Sequence, residues 1–316
     1  MGLLVNGKWH DHWYDTKDHD GRFVRADAQF RNWVTPDGSP GPTGRGDFPA
    51  EAGRYHLYIG HACPWAHRTL IFRRIKELED KISLSVVHWY MGENGWTFDP
   101  GDGVLPDTVN NARYLYEVYA AAAPNFSGRV TIPVLWDKQS ATIVNNESSE
   151  IMRMLNSAFD GLGVAEGDFY PHDLRDDIDA INERVYHTVN NGVYRCGFAT
   201  SQDAYDEAVV ELFDTLDWLE DLFADRTYLC GERPTEADWR LFTTLIRFDA
   251  VYYSHFKCNL RRITEYPRLH ALMVRLYETP GIAEIVHMDH IKRHYYGSHT
   301  SINPTGIVPR GPLEIL

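Results

Sequence analysis

The segment Tyr55–Leu70 constrains the fold of this chain more than any other stretch. Its first five residues, up to Ile59, alternate in the period-2 manner of a strand that buries one face. Gly60 follows in a short turn, and Cys63-Pro64 then opens a stretch whose apolar residues have helical spacing. Proline is tolerated there because the first amides of a helix lack intrahelical partners. The segment therefore predicts a strand, a turn and a helix beginning at Cys63-Pro64.

Cys63 would lie at the positive end of that helix, a position that favours thiolate over thiol. A buried structural cysteine in a β-α turn is the alternative. A dithiol oxidoreductase would carry a second cysteine at position 66, where this chain has Ala66, and Cys196, Cys230 and Cys258 are distant with no metal-ligand spacing. A lone reactive thiol needs a resolving thiol from elsewhere, which suggests glutathione as a second reactant.

Composition limits the possible partners and compartments. The 316 residues are 43% hydrophobic, enough for the core of one or two domains. A formal charge of −14 argues against nucleic acid as a main partner. The start of the sequence lacks the layout of a secretion signal, and no apolar run approaches the length of a membrane span. Four scattered cysteines do not form a disulfide framework, so we expect a cytoplasmic protein. The lack of a long apolar run leads us to expect no membrane partner.

The N-terminal half predicts an arm followed by an α/β domain. Residues 1–54 are rich in aromatic residues and turn formers, which indicates an ordered arm packed on the next domain. The helix after Cys63 leads to a strand at 82–87, and strand-helix-strand implies parallel pairing. A helix near Asp107–Ala123 and strands at Arg129–Asp137 and 142–144 follow. Ser148 is then predicted to cap a helix running to Phe159.

The C-terminal half predicts helices only. These cover 174–190, 202–222, 236–251, 267–278 and 281–296, and Thr235 with Asp238 forms a capping box. The helical pattern is interrupted near 161–171. We predict three parts: an arm over 1–54, an α/β domain over 55–165, and an all-helical domain with a C-terminal tail over 166–316.

Several motifs together resemble one known family. They are Cys-Pro-Trp-Ala-His-Arg (63–68), Ile132-Pro133, Glu147-Ser148, Asn94-Gly95-Trp96-Thr-Phe, Asn190-Asn-Gly-Val-Tyr194 and the tail Ser301-Ile-Asn-Pro-Thr-Gly306. This set is similar to that of the glutathionyl-hydroquinone reductases, the Xi class of glutathione transferases, and it spans essentially the whole chain. The resemblance implies an α/β thioredoxin-like N-terminal domain plus an all-α C-terminal domain, with an extended arm and tail.

The resemblance also implies a reaction and its residues. Cys63 thiolate would take the glutathione sulfur of a glutathionyl-hydroquinone, and a second glutathione would resolve the mixed disulfide. Residues expected to bind glutathione are Trp96, Arg129, Ile132, Pro133 (at a cis peptide bond), Glu147 and Ser148. Substrate-side tyrosines are Tyr194, Tyr252 and Tyr295, with a one-place shift to Tyr253 or Tyr296 left open. Tyr194 is the expected proton donor, aimed by a helix break at Gly192, and the other two would orient substrate or stabilise the thiolate. The family also implies a homodimer.

Other interpretations remain open at this point. The same cysteine could serve a broader thiol transferase or a dehydroascorbate reductase. A conjugating transferase would normally have tyrosine or serine at the turn, and a binding module would not need an intact thiol. His287, His290 and His294 share one helical face and could hold zinc or nickel. The scatter of 15 histidines along the chain favours structural roles, so we expect no metal.

Overall fold

A computed structural model describes residues 2–312 of the chain. Contacts group the chain into two compact units. Unit 1 holds the chain up to Trp13, Ala26–Asp168 and Ile285–His290, and unit 2 holds Tyr14–Arg25, Phe169–Glu284 and the chain from Ile291 onward. The limits predicted at residues 54 and 165 stay predictions, since the grouping interleaves the segments of the two units.

Unit 1 contains two β-sheets. Their strands are β1 (Leu3–Val5), β2 (Lys8–His10), β3 (Tyr55–Ile59), β4 (Ser83–Val86), β5 (Gly128–Arg129), β6 (Val134–Asp137) and β7 (Thr142–Asn145). The larger sheet has the order β4-β3-β6-β7, in which β3 pairs parallel with β4 and antiparallel with β6. The smaller sheet has the order β2-β1-β5. The helices of unit 1 are α1 (Pro64–Ile75), α2 (Leu115–Ala122) and α3 (Ser148–Ser157).

The order β3-α1-β4, then β6-β7-α3, is that of the expected thioredoxin-like domain, which is confirmed. One detail of the expectation was wrong. β3 is buried along its whole length rather than on one face. It is an interior strand of the sheet, and interior strands are commonly covered on both sides.

The helix predicted near Asp107–Ala123 is also corrected, because α2 begins only at Leu115. The buried Asp107 carboxylate accepts hydrogen bonds from the Val109 and Asn110 amides at 2.9 and 3.1 Å, and from the Tyr58 hydroxyl at 2.9 Å. These bonds satisfy the backbone of an irregular loop, so the segment needs no helical bonds.

The strand predicted over Arg129–Asp137 is divided in the structure. Gly128–Arg129 pairs with β1, whereas Val134–Asp137 pairs with β3. The Ile132-Pro133 peptide, which is cis, lies between the two parts. Proline cannot donate a ladder hydrogen bond, which is consistent with a break at this point.

The C-terminal part of unit 2 is built from helices, as predicted for this half of the chain. Its α-helices are α4 (Arg175–Val185), α5 (Gly192–Phe198), α6 (Gln202–Leu222), α7 (Glu236–Arg247), α8 (Tyr253–His255) and α9 (Pro267–Tyr277), and it shares α10 (Met288–Ser298) with unit 1, whose part ends at His290. The predicted helix at 281–296 was wrong at its start, since a short 3₁₀ turn at Ala283–Ile285 precedes α10. The separate helix α5 was missed. Two π-helical turns, Tyr186–Asn190 and Phe248–Tyr252, extend α4 and α7.

The predicted capping box at the start of α7 is confirmed. The Thr235 amide donates to the Asp238 carboxylate at 2.8 Å, and the Thr235 side chain accepts from the Asp238 backbone amide. Burial raises the pKa of Asp238 to about 6. Within residues 2–312, no helix combines the length and apolar character needed to cross a bilayer.

Candidate active site

The turn between β3 and α1 places Cys63 as the sequence predicts. Cys63 is the N-cap of α1, Pro64 opens the helix, and the Cys63 amide donates to the Gly60 carbonyl at 3.0 Å. The Cys63 side chain is partly exposed. A sulfur at this position lies at the positive end of the α1 dipole, which favours the negative thiolate needed for nucleophilic attack.

Gly60 brings two predicted glutathione-binding residues to this turn. A Cβ on Gly60 would lie 2.7 Å from Ile132 Cδ1 and 3.9 Å from Trp96 Cζ3, so the absence of a side chain permits their close approach. The Cys63 Sγ lies 3.8 Å from the Ile132 carbonyl oxygen. Cys63, Trp96, Ile132 and the cis Pro133 are therefore assembled around one turn, although they are far apart in sequence.

The start of α3 holds the two residues predicted to bind the γ-glutamyl end of glutathione, with one correction to their positions in the helix. Glu147, not Ser148, is the N-cap, and its Oε1 accepts from the Ser149 amide at 3.0 Å and the Ser149 hydroxyl at 2.9 Å. Ser148 is the first helical residue and is 3% exposed. An amide and a hydroxyl at a helix N-terminus suit a carboxylate ligand. The binding roles of Glu147 and Ser148 stay predictions.

Sequence reasoning missed Arg68. This buried arginine on α1 places its Nη1 3.5 Å from the Ser148 hydroxyl, and its guanidinium lies 4.5 Å from the Trp65 ring centroid. A cation here reinforces the positive character at the start of α3. The signal was present in the Cys-Pro-Trp-Ala-His-Arg motif, where Arg68 lies five residues after Cys63.

Arg129 is engaged with the N-terminal arm. Its guanidinium donates to the His12 carbonyl and, at 2.9 Å, to the Trp13 carbonyl. These bonds place the side chain at the arm, and its predicted contact with a ligand carboxylate stays a prediction.

Within unit 2, the three predicted tyrosines form one hydrogen-bonded cluster. The Tyr295 hydroxyl lies 2.5 Å from the Tyr194 hydroxyl and 3.0 Å from the Tyr252 hydroxyl. Tyr296 instead bonds the Ser254 hydroxyl and, at 3.2 Å, the Ala250 carbonyl. The clustering therefore supports Tyr295 rather than Tyr296, and Tyr252 rather than its neighbour, as the members of the set.

The members of this tyrosine cluster (Tyr194, Tyr252 and Tyr295) differ in exposure. Tyr252 and Tyr295 are 0% and 1% exposed, and burial raises their pKa well above the usual value, so both remain protonated phenols. Tyr194 is the partly exposed member, and the Arg25 guanidinium lies 5.0 Å from its ring centroid. If Tyr194 gave up its proton, the Tyr295 hydroxyl could donate to the resulting phenolate. The arrangement suits Tyr194 as a general acid.

The predicted helix break near Tyr194 exists, but Gly192 is not its origin. Gly192 is the first residue of α5, and a Cβ there would meet no atom closer than the His187 carbonyl oxygen at 3.7 Å. The irregularity lies in the preceding π-helical turn, where Asn190 Nδ2 donates to the Thr244 hydroxyl at 2.8 Å. π-Helical turns often occur at functional sites, and the second one ends at Tyr252.

The three histidines considered as metal ligands, His287, His290 and His294, contact different neighbours in the structure. In unit 1, the His287 ring centroid lies 3.6 Å from that of His61, and His290 Nε2 donates to the Asp102 carbonyl at 2.6 Å. His294 belongs to unit 2, where its ring lies 5.3 Å from that of His299. Among the described residues, no group of three or more histidine, cysteine or acidic side chains is placed to hold a metal ion.

Comparisons with known proteins decide the family. The glutathione S-transferase N-terminal domain model matches residues 62–158, and the C-terminal domain model matches residues 202–275. The glutathionyl-hydroquinone reductase PcpF of Sphingobium chlorophenolicum is 58% identical over 316 residues, covering 100% of this chain and 98% of its own. The chain belongs to the glutathionyl-hydroquinone reductases, the Xi class of glutathione transferases.

Solved structures of Xi-class relatives agree with this family. The glutathione-bound structure of YqjG from Escherichia coli K-12 matches with a TM-score of 0.92 and 53% identity, covering 99% of this chain and 96% of that one. The Xi-class transferase of Phanerochaete chrysosporium matches with a TM-score of 0.88 and 51% identity, covering 93% of this chain and 99% of that one. The predicted glutathione transferase architecture is thus confirmed over nearly the full length.

Proposed function

We propose that this protein reduces glutathionyl-hydroquinones to hydroquinones at the expense of glutathione. The observation that carries the proposal is Cys63 at the N-cap of α1, with its sulfur 3.8 Å from the Ile132 carbonyl and alanine at position 66. A relative with 58% identity over the full chain is named for the same activity. A single activated cysteine suits transfer of a glutathionyl sulfur, because no neighbouring thiol competes for the mixed disulfide.

The first half-reaction forms one sulfur–sulfur bond and breaks one carbon–sulfur bond. The Cys63 thiolate attacks the sulfur of the glutathionyl-hydroquinone, and the electron pair of the carbon–sulfur bond moves to the ring carbon. That carbon takes a proton, and hydroquinone leaves. Cys63 retains glutathione as a mixed disulfide. The ring is reduced by two electrons, and the two sulfurs are oxidised to the disulfide.

Tyr194 supplies the proton in this step. Its phenol hydroxyl can donate a proton, and its conjugate phenolate would accept a hydrogen bond from Tyr295, whose oxygen lies 2.5 Å away. Tyr252 bonds the same Tyr295 hydroxyl at 3.0 Å, so charge formed on Tyr194 is spread along a chain of phenols. We assign Tyr252 and Tyr295 to stabilising Tyr194, and their predicted roles in orienting the substrate or stabilising the Cys63 thiolate stay predictions.

The second half-reaction releases the enzyme. A second glutathione thiolate attacks the glutathione sulfur of the mixed disulfide, giving oxidised glutathione and the Cys63 thiolate. In both halves Ser148 binds the γ-glutamyl carboxylate through its amide and hydroxyl, and Ile132 pairs with the cysteinyl part through its backbone. Glu147 completes the γ-glutamyl site, and Trp96 packs against the tripeptide.

A broader thiol transferase or dehydroascorbate reductase activity is the competing proposal, since it would use the same Cys63. Steady-state turnover with glutathione decides between them. The proposal expects glutathionyl-hydroquinone to be used with a kcat/KM at least about a hundredfold above that for dehydroascorbate, because only the former has the ring carbon that Tyr194 is proposed to protonate. Equal or better turnover of dehydroascorbate would replace the proposal with the alternative.

A cytoplasmic location and a homodimer complete the proposed picture. Both rest on the sequence-based expectations, the location on cysteine usage and the dimer on the family. Light scattering during size-exclusion chromatography tests the dimer, for which a mass of twice 36.4 kDa is expected. A monomer mass at micromolar concentration would contradict it.

A further inference from the structure

Trp9, on the N-terminal hairpin, contacts the loop that leads to Trp96. Its indole Nε1 donates to the Glu93 carbonyl at 2.9 Å. Its ring edge lies against Gly95, where an added Cβ would come within 2.7 Å of Trp9 Cη2. Trp9 therefore holds the loop at two points, which flank Asn94 and directly precede Trp96.

The same tryptophan also reaches the other end of this loop through stacked rings. Trp9 stacks on Tyr116 with 5.0 Å between ring centroids, and Tyr116 stacks on Tyr114 at 5.2 Å. Tyr114 caps α2, whose first amide, that of Leu115, donates to the Trp96 carbonyl at 2.9 Å. Trp96 thus directly follows the residues that Trp9 contacts. Its carbonyl is also hydrogen-bonded to the first residue of α2, next to the stacked rings of Trp9, Tyr116 and Tyr114.

The hairpin itself is firmly attached to unit 1. β1 pairs antiparallel with Gly128–Arg129, and the Gly7 amide donates to the Phe126 carbonyl at 2.9 Å. Opposite Trp9 in the hairpin, Leu4 is fully buried. Because the backbone of Trp9 is held in the small sheet, its indole can restrain the loop rather than move with it.

We propose that Trp9 is a positioning residue, which holds residues 93–96 so that Trp96 is preorganised to pack against glutathione. This inference rests on the proposed function, in which Trp96 binds glutathione. It assigns the N-terminal arm a role in affinity for glutathione, in addition to covering hydrophobic surface. Without Trp9 the loop gains freedom that binding must remove, and the affinity falls accordingly.

The test measures glutathione affinity by calorimetry on the full-length protein. We expect Trp9→Ala to weaken binding about tenfold, the scale of one hydrogen bond with one aromatic contact. Trp9→Phe keeps the ring stack and should lose only about threefold. Lys8→Ala, an exposed neighbour on the same strand, is the matched control and should bind like wild type. The rate of Cys63 alkylation by iodoacetamide should stay within about twofold in all variants, since the α1 N-terminus is untouched.

A second arm of the test couples Trp9 to Gly95. Gly95 has a φ of 68°, and Gly95→Ala also directs a methyl group against the indole. The loss of affinity caused by Gly95→Ala should be smaller in a Trp9→Ala background, where that methyl group has room. Additive losses would show that Trp9 does not hold the loop through this contact and would overturn the proposal.

The outcomes separate this inference from the proposed function. If Trp96→Ala weakens glutathione binding and Trp9→Ala does not, the positioning role is wrong and the proposed site stands. If Trp96→Ala leaves binding unchanged, the proposed role of Trp96 fails, and the inference fails with it. An equal fall in affinity and in Cys63 alkylation, not rescued by Trp9→Phe, would indicate general structural damage and also contradict positioning.

Discussion

The Tyr194 and Tyr295 hydroxyl oxygens lie 2.5 Å apart, and only Tyr194 of this pair is partly exposed. The pair therefore has an accessible proton donor supported by a buried phenol. Replacing either tyrosine by phenylalanine removes only its hydroxyl oxygen, and comparing the two variants tests whether these phenols have different roles.

Tyr194→Phe should slow the first half-reaction about a hundredfold or more, the usual scale for losing a general acid. Resolution of a preformed Cys63 mixed disulfide by glutathione should barely change, because no carbon is protonated there. Single-turnover kinetics of the two halves measure both effects, with Tyr253→Phe as the matched control. An unchanged first step, or an equal loss in both steps, removes Tyr194 from the acid role.

Tyr295→Phe should slow the same step less, by about three- to tenfold. This variant keeps the acid and removes one hydrogen bond to a phenolate whose charge is only partly formed in the transition state, a loss of about 1 kcal/mol. A loss as large as that of Tyr194→Phe would instead indicate that Tyr295 is itself the donor.

The part of the fold that local pattern encodes was predictable. The strand, turn and helix around Cys63 follow from the spacing of apolar residues and from the position of Pro64. Helix α6 has the predicted bounds Gln202–Leu222. The loop around Asp107 was misread as helix, because its order comes from a buried carboxylate that periodicity does not register. The hairpin at Asn6-Gly7 carried a signal that was not used, since Asn-Gly is typical of two-residue turns.

The sequence predicted which residues belong to the site better than it predicted the contacts between them. The predicted helix start indicated Cys63, and the family motifs indicated the three tyrosines. Sequence could not show that Tyr295 bonds Tyr194 and Tyr252 at once, because these residues are up to 101 positions apart. The contact of Gly60 with Ile132 and Trp96 likewise depends on the packing of separate segments, and no local spacing encodes it.

Ala66 predicts dependence on glutathione as the recycling thiol. Without a resolving cysteine one turn after Cys63, the mixed disulfide awaits a thiol that can bind at Glu147 and Ser148. Multiple turnover with thioredoxin and its reductase, in the absence of added glutathione, should therefore be negligible. A sustained rate under those conditions would show that another route resolves the mixed disulfide.

Acid should destabilise the protein above the pH range in which ordinary carboxylates titrate. Burial lowers the pKa of His56 and of His255 to about 4, from an ordinary value near 6.5. Between these pH values the unfolded chain binds protons that the folded protein does not, so stability falls as the pH falls. Each histidine should lower the free energy of unfolding by about 2 kcal/mol at pH 5. Asp238, whose pKa is raised to about 6, has the opposite effect, because its folded form binds a proton more readily than the unfolded chain.

Urea unfolding at pH 7.5, 6 and 5 measures this effect. We expect the midpoint to fall steadily with pH, and His255→Gln to show a shallower fall than wild type, whatever its stability at pH 7.5. The same slope in both proteins would mean that His255 does not carry the effect.

The central claim is that Cys63 takes the glutathione sulfur from the substrate, and mass spectrometry tests it most directly. A single turnover of a glutathionyl-hydroquinone, quenched by acid, should add one glutathione to the peptide carrying Cys63, in equal amount to the hydroquinone released. Cys63→Ser should bind glutathione yet release almost no hydroquinone. Hydroquinone release without that adduct, or an adduct on Cys196, Cys230 or Cys258 with Cys63 unmodified, would contradict the account.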